Sequence, residues 1–503
     1  MRLRIFFVLL LVVVQLAGCT NLRPEPVDPW AAYRVALAPG QQQMLDELPA
    51  LPDYRLDVQL DSARPLLMGR MTVTIPAEPD GTILPEYYFR LYPNLSYYGG
   101  SMSINLVTVN GAGAPFDYAA DDTAVRVVTR PDTVKPNEPV TIQMQWRLKP
   151  PVWEDTLYHL IGASNGVLAL PAFYPMLAVR DPQAENGWRL DVSMLQGDST
   201  FSVAATYQMT MTAPVDTVIV ASGVTVNTQP AAAPAFDNAN SSSDSREWRS
   251  WRIVTGPARE MALFASNQYR LAETTAGAVR IRSWYLPGQE AAGRATADYA
   301  AAAMRVYSEL FGPYPDAELD VVAGPLEFRG MEYTGLIELG FDLYNKNADE
   351  LEYRVAHEVA HQWWYNLVGN DAVNTPWLDE GLAEFSTYFY VQRVNGQAAA
   401  ERLVERRWQL PYQLAVTNGL DDAVNQPVSA FSGNYETLVY GKAALFHYAL
   451  MQQLGEERYL ALLQEYVVKY RYGIATPDDF LTMAVAAGGT PVEALYRQWI
   501  LGE

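Results

Sequence analysis

The stretch His357-Glu358-Val359-Ala360-His361 restricts this chain more than any other feature. Its two imidazoles can face one point only if the segment is helical, because residues four apart on an α-helix lie one above the other. The pattern predicts a helix from about Asp349 to Val368, with Asp349 and Glu352 suited to a capping box and Gly369 to a C-terminal stop. On such a helix the two rings converge as a zinc ion requires. Glu358 sits about 100° round the helix, within reach of a water held at the metal without itself binding it. A catalytic zinc needs a third protein ligand and an open position. Glu380 is the candidate, with 18 residues between it and His361. Thr375 suits the cap of a second helix and Pro376 its first position, and the short loop from Gly369 to Asn374 lets that helix fold back. Asp379 is the competing carboxylate, but it is shorter and points elsewhere round the helix. The motif alone could be a pair of packed histidines on an amphipathic helix; a carboxylate placed on a second helix argues for a metal.

The rest of the composition narrows the metal chemistry. Cys19 is the sole cysteine, which excludes an intramolecular disulfide and a zinc site built on several thiolates. Histidine occurs at 159, 357, 361 and 447; His159 and His447 read as structural, and Trp363 and Trp364 as core. The formal net charge of -21 argues against nucleic acid, which needs a basic footprint. With 503 residues, 49% of them apolar and 18% charged, the chain can bury large cores in two or three domains.

The first residues read as a targeting segment. Arg2 and Arg4 precede an apolar run from Ile5 to Val14, too short to span a bilayer, and Leu16-Ala17-Gly18-Cys19 resembles a bacterial lipobox. That resemblance implies a signal peptide at 1–18, cleavage before Cys19, and a diacylglyceryl group on its sulfur. The chain would then sit in a bacterial cell envelope, lipid-anchored and extracytoplasmic, at the outer membrane or cell surface.

Residues 19–50, with their Pro, Ala and Gln, read as a tether. From 51 to 270 the pattern is strand-like. Tyr207 to Thr212 alternates apolar and polar, as do Met71, Val73 and Ile75, and Asn110-Gly111 and Pro131-Asp132 mark turns. An N-terminal β-sandwich is expected there, with the Ala-, Pro- and Ser-rich 229–246 stretch as a long hairpin loop before Trp248 to Val254. Tyr299, Ala303, Val306, Tyr307 and Leu310 then recur at helical spacing up to Gly312-Pro313. Short strands are expected at Leu319 to Ala323 and Met331 to Leu339, and helices almost throughout from Asp349. The fold class is therefore α+β and multidomain, with a mostly helical metal-binding domain and a small sheet over 271–503.

Four segments, which occur in the family's order and at similar spacing, resemble the aminopeptidase N family of gluzincins, the leukotriene-hydrolase branch included. They are His357 to Trp364, Trp377-Leu378-Asp379-Glu380-Gly381-Leu382-Ala383, Gly330-Met331-Glu332-Tyr333 with Tyr333 where the family has Asn, and Tyr440-Gly441-Lys442-Ala443 with Ala443 where it has Gly. The resemblance covers about residues 270 to 503 and implies a thermolysin-like catalytic domain with one zinc ion per chain, on His357, His361 and Glu380. It implies Glu358 as general base, Tyr440 as hydrogen-bond donor to the developing oxyanion, and Glu332, with the backbone at Gly330 and Met331, as the grip on the substrate's free N-terminus. Tyr435 and Glu384 are supporting neighbours to examine. An acid or amide that would help hold the amine has no clear counterpart near Ala163-Ser164-Asn165-Gly166, and the C-terminal helical domain of many relatives has none after Trp499. The expected activity is removal of N-terminal residues from peptides. A different zinc hydrolase (endopeptidase or epoxide hydrolase) and a surface binding protein with a relic site are the alternatives. Oligomeric state is open.

Overall fold

The computed structural model describes residues 28–155, 157–191, 197, 200–234, 246–327, 329–346 and 348–503. The expected signal peptide and lipobox, and the Asp349 side chain of the expected capping box, lie outside them. Glu352 accepts a hydrogen bond from the Tyr390 hydroxyl (2.9 Å).

Up to Ser266 the described residues form strands and short 3-10 turns, with the strands in three sheets rather than two. The largest has eight strands, ordered Val224–Ala231, Trp248–Val254, Thr206–Pro214, Asp53–Asp61, Leu66–Ile75, Val140–Lys149, Ser101–Val109 and Ala112–Gly113. Its alternating strands bury one face: in Asp53–Asp61, Tyr54, Leu56, Val58 and Leu60 are buried. Two four-stranded sheets accompany it, one containing Leu263–Ser266 and Val167–Leu170, the other Glu86–Arg90 and Ala124–Val128. Val224–Ala231 and Trp248–Val254 pair antiparallel, so the Ala- and Ser-rich stretch between them joins two adjacent strands.

The expectation of a free tether up to residue 50 does not match Trp30 to Glu47. Short 3-10 turns form at Arg34–Ala36 and Gln42–Glu47, and Tyr33, Leu37, Met44 and Leu45 are buried. Leu37 makes a β-bridge with Asp316, clipping this segment onto the helical half. Apolar side chains spaced among Pro and Gln found a surface to cover.

A five-stranded sheet opens the second half, ordered Arg270–Ala276, Val279–Tyr285, Glu318–Gly324, Leu336–Gly340 and Gly330–Tyr333. The single strand expected from Met331 to Leu339 is in fact a hairpin, turned at Gly335 with φ of 67°. This leaves Gly330–Tyr333 at the sheet edge. Helix α1 (Glu290–Phe311) packs on the sheet, its Tyr307 hydroxyl donates to the Ala356 carbonyl (3.0 Å), and it stops at Gly312, whose φ is 108°. The short α2 (Leu343–Lys346), α3 (Ala348–Ala360) and α4 (Trp377–Asn395) follow, and α1, α3 and α4 pack on one another.

Helix α3 is shorter than expected, ending at Ala360 rather than Val368. Tyr365 takes a φ of 113°, and the freed carbonyls find other donors. Asn366 donates to the His361 carbonyl through its backbone N–H (3.1 Å) and its side chain (3.2 Å). The buried Arg259 guanidinium donates to the carbonyls of Tyr365 (2.9 Å) and Gly473 (2.5 Å). Helix α4 begins without a side-chain cap, because the Thr375 hydroxyl donates instead to the Asp371 carbonyl (3.0 Å). No described helix is long and apolar enough to cross a membrane.

Candidate metal centre and active-site cleft

Helix α3, the turn that follows it and helix α4 bring three side chains to one point. His357 Nε2, His361 Nε2 and Glu380 Oε2 lie 3.2 Å from one another, all buried. Each imidazole is oriented by its other nitrogen: His361 Nδ1 donates to the Trp364 carbonyl (2.8 Å), and His357 Nδ1 lies 3.0 Å from Glu384 Oε2. Both Nε2 lone pairs therefore point at the same place. Two such lone pairs beside a carboxylate oxygen repel unless a cation sits between them. A tetrahedral ion with bonds of about 2.05 Å separates its ligand atoms by about 3.3 Å, so these residues fit a metal of zinc's size. The surroundings demand positive charge as well. Burial would lower the proton affinity of His357 and His361, yet the carboxylates around them hold both above the ordinary imidazole range. Asp379 stays out of the cluster; it is buried and accepts from Asn370 (2.9 Å).

Glu384, one turn beyond Glu380 on α4, accepts from Tyr353 and from Trp408 Nε1 (2.7 Å) while facing His357. It fixes that ring's orientation, as carboxylates behind metal-binding histidines do. Tyr440 donates to Glu380 Oε1. It lies in a π-helical segment, Glu436–Lys442, a geometry that re-aims side chains. The rings of Tyr435 and Tyr440 meet edge-on at 6.1 Å.

The edge strand forms the opposite wall. Glu332 is buried, with Oε1 4.0 Å from His361 Nδ1. Glu358 stands against Gly330, where an added Cβ would lie 2.2 Å from Glu358 Oε1; only glycine leaves the carboxylate its place. Burial raises both Glu332 and Glu358 above the usual carboxylate range, and His361 opposes the shift in each. The centre opens into a cleft of about 630 Å³. Tyr158 and Gly197 are its described lining residues from the N-terminal half, so the 163–166 hairpin contributes none.

The remaining sequence readings fall away from the centre. His159 pairs with Asp155 (2.5 Å) and stacks on Trp153. His447 is buried, accepts from the Tyr459 hydroxyl (3.0 Å), and is pushed down to about 3 by burial. Trp363 and Trp364 are core, donating to the Gly312 carbonyl (3.0 Å) and to Ser386 Oγ (2.9 Å). Sequence reasoning missed Asn366 and Arg259. Asn366 ties the Glu332 carbonyl (3.2 Å) to the turn after His361, and Arg259 reaches that turn from the β-rich half. Neither carries a local signal: their partners are backbone carbonyls that only the fold brings close.

A β-rich half followed by a helical domain with a small sheet, and two histidines and a glutamate from successive helices, define the fold class of the M1 metallopeptidases. Residues 295–499 match the model of the Peptidase family M1 domain. It is 27% identical over 262 residues to the alanine/arginine aminopeptidase of Saccharomyces cerevisiae (48% of this chain, 29% of that one). It is 28% identical over 241 residues to aminopeptidase M1-D of Oryza sativa subsp. japonica (44% and 27%). The chain thus spans under a third of the length of these relatives. The fold resembles the crystal structure of an M1 zinc metallopeptidase from Deinococcus radiodurans, with a TM-score of 0.62 at 19% identity over 90% of this chain and 93% of that one. An E323A mutant of the Deinococcus radiodurans enzyme, bound to a Tyr-Ser-Ala substrate, matches with the same TM-score and identity over 90% and 96%.

Proposed function

We propose that this chain is a zinc-dependent aminopeptidase, removing N-terminal residues from peptides with free amines. The observation that carries this reading is the placement of Glu332 at the edge strand, beside a three-ligand centre. A buried carboxylate there would bind an α-ammonium at one fixed distance from the metal, so that only the first peptide bond reaches the reacting position. The unpaired strand edge offers hydrogen bonds to the peptide backbone, as in β-strand addition.

Zinc, held by His357, His361 and Glu380, would polarise the scissile carbonyl and make water acidic enough to attack near neutral pH. The chain's own groups do the rest. Glu358 takes the proton of the attacking water and passes it to the leaving amine; its raised proton affinity suits both acts. Tyr440, freed from Glu380 by a small rotation, donates a hydrogen bond to the oxyanion growing on the carbonyl. Glu384 keeps the His357 ring aimed. The fully buried Trp377 and Phe385 pack α4 so that Glu380 and Glu384 stay in register.

The test is a panel of aminoacyl p-nitroanilides with free and acetylated N-termini, with and without chelator. Cleavage confined to the free amines and abolished by chelation is expected. Equal cleavage of blocked substrates would replace this reading with a zinc endopeptidase or another hydrolase, and a protein purified without zinc and inactive throughout would favour a binding protein.

We further propose a lipid on Cys19 and an extracytoplasmic envelope location, supported by the Leu16-Ala17-Gly18-Cys19 motif. Metabolic labelling with palmitate, lost in Cys19→Ser, tests it. The division into 51–270 and 271–503 is likewise our reading, to be checked by limited proteolysis.

A further inference from the structure

Four arginines line a cleft in a chain whose net charge is -21: Arg329, Arg354, Arg406 and Arg407. Two are committed to protein partners. Arg329 pairs with Glu436 (2.6 Å), and Arg407 pairs with Glu350 (2.6 Å) and lies over the Tyr353 ring. Arg354 and Arg406 have no hydrogen-bond or ion-pair partner among the described residues. Arg406 is exposed, but Arg354 is half-buried. A guanidinium that lines the cleft with no hydrogen-bond partner has its N–H donors open to a ligand.

Its position says which part of a ligand that would be. Glu332 lies beside His361 and Gly330 beside Glu358, so the edge strand and α3 run in the same direction across the cleft. Arg354 is four residues before Glu358, about 6 Å further back along the helix. It therefore lies beyond Gly330, on the side away from Glu332. If the α-ammonium is held at Glu332, the residues behind the scissile bond lie over Gly330 and lead towards Arg354.

We infer that Arg354 binds a carboxylate on the leaving side of the substrate, so that peptides with a negative charge one or two residues beyond the cleaved bond are preferred. This deepens the proposed aminopeptidase reading and rests on it. The carboxylate has two sources: the C-terminus of a di- or tripeptide, or an Asp or Glu side chain in a longer one. Charge-assisted pairing with a guanidinium is directional and strong in a partly desolvated cleft, and a tenfold preference is the expected scale of about one such contact.

The experiment compares kcat/KM within matched pairs, using the N-terminal residue that gives the fastest p-nitroanilide cleavage. X-Ala is set against X-Ala amide, and X-Asp amide against X-Asn amide, for the natural chain, Arg354→Gln and Arg354→Lys. A carboxylate preference of about tenfold is expected in at least one pair; the first pair responding identifies the C-terminus, the second a side chain. The preference should vanish in Arg354→Gln and survive in part in Arg354→Lys. Because each preference is a ratio within one protein, a general loss of activity cancels. An electrostatic effect of Arg354 on Glu358 would lower all four substrates alike and leave the ratio unmoved. Should Arg354→Gln fail to fold, a changed ratio in Arg354→Lys carries the assignment. Equal rates within both pairs in the natural chain, or a preference that persists in Arg354→Gln, would overturn it. The p-nitroanilide has no carboxylate, so its cleavage separates failure of this inference from failure of the aminopeptidase reading.

Discussion

Glu358 and Glu384 are both buried carboxylates beside His357, yet their surroundings give them opposite work. Glu384 is saturated by Tyr353, Trp408 and His357 and stays ionised, its proton affinity held down by His357 against the cost of burial. Glu358 faces the cleft, and burial raises it. In the proposed mechanism one orients and the other exchanges protons. Glu358→Gln should therefore retain the metal, measured by elemental analysis, while kcat falls by about 100-fold or more; a variant that cleaves at the normal rate would remove Glu358 from the mechanism. Glu384→Gln should instead weaken metal affinity by roughly 10- to 100-fold, read by competition with a chelator. Unchanged affinity would reduce Glu384 to packing.

Between elements, a tight contact falls at Gly381, next to the third ligand. A Cβ added there would lie 2.7 Å from the Ala443 Cβ, so α4 and the start of the Ala443–Leu454 helix touch almost backbone to backbone. This contact brings Tyr440 to Glu380. Gly381→Ala should force the two helices apart, costing about 1–3 kcal/mol in urea unfolding. Activity should fall further than that loss implies, because the Tyr440 to Glu380 geometry changes. A variant as active and stable as the natural protein would show that the contact yields without consequence. Ala443, where the family resemblance leads one to expect glycine, is tolerated because Gly381 supplies the missing space from the other side.

At the scale of the whole molecule, one continuous core runs from Tyr33 to Ile500, and the half-buried Asp316 sits where the halves join. Asp316, bridged to Leu37, is pushed up to about 7 by burial, with Tyr314 opposing the shift. Its folded-state proton affinity exceeds that of the unfolded chain. The fold therefore keeps a proton that the unfolded chain releases above about pH 4, and the stability contributed by this group is full below that pH and lost as pH rises through 7. Asp316→Asn should gain on the natural protein between pH 5 and pH 8 by about 2 kcal/mol in urea unfolding. A gain confined to pH 5 would reverse the sign and exclude the argument.

Local chemistry was enough to reveal the three side chains that meet at one point, His357, His361 and Glu380, and the second helix that carries one of them, because they depend on the 3.6-residue period and a short connection, both written in consecutive residues. The alternating runs likewise announced the β-rich half. What the chain could not disclose locally came from distant partners. Past Ala360, where helix α3 ends, the turn is held by Arg259, about a hundred residues earlier in the chain, which donates to the Tyr365 carbonyl. The segment from Trp30 to Glu47 is packed because the helical half offers Leu37 a bridge at Asp316. Period and spacing are properties of neighbours in sequence, whereas burial and hydrogen-bond satisfaction are settled between residues that meet only when the whole chain has closed.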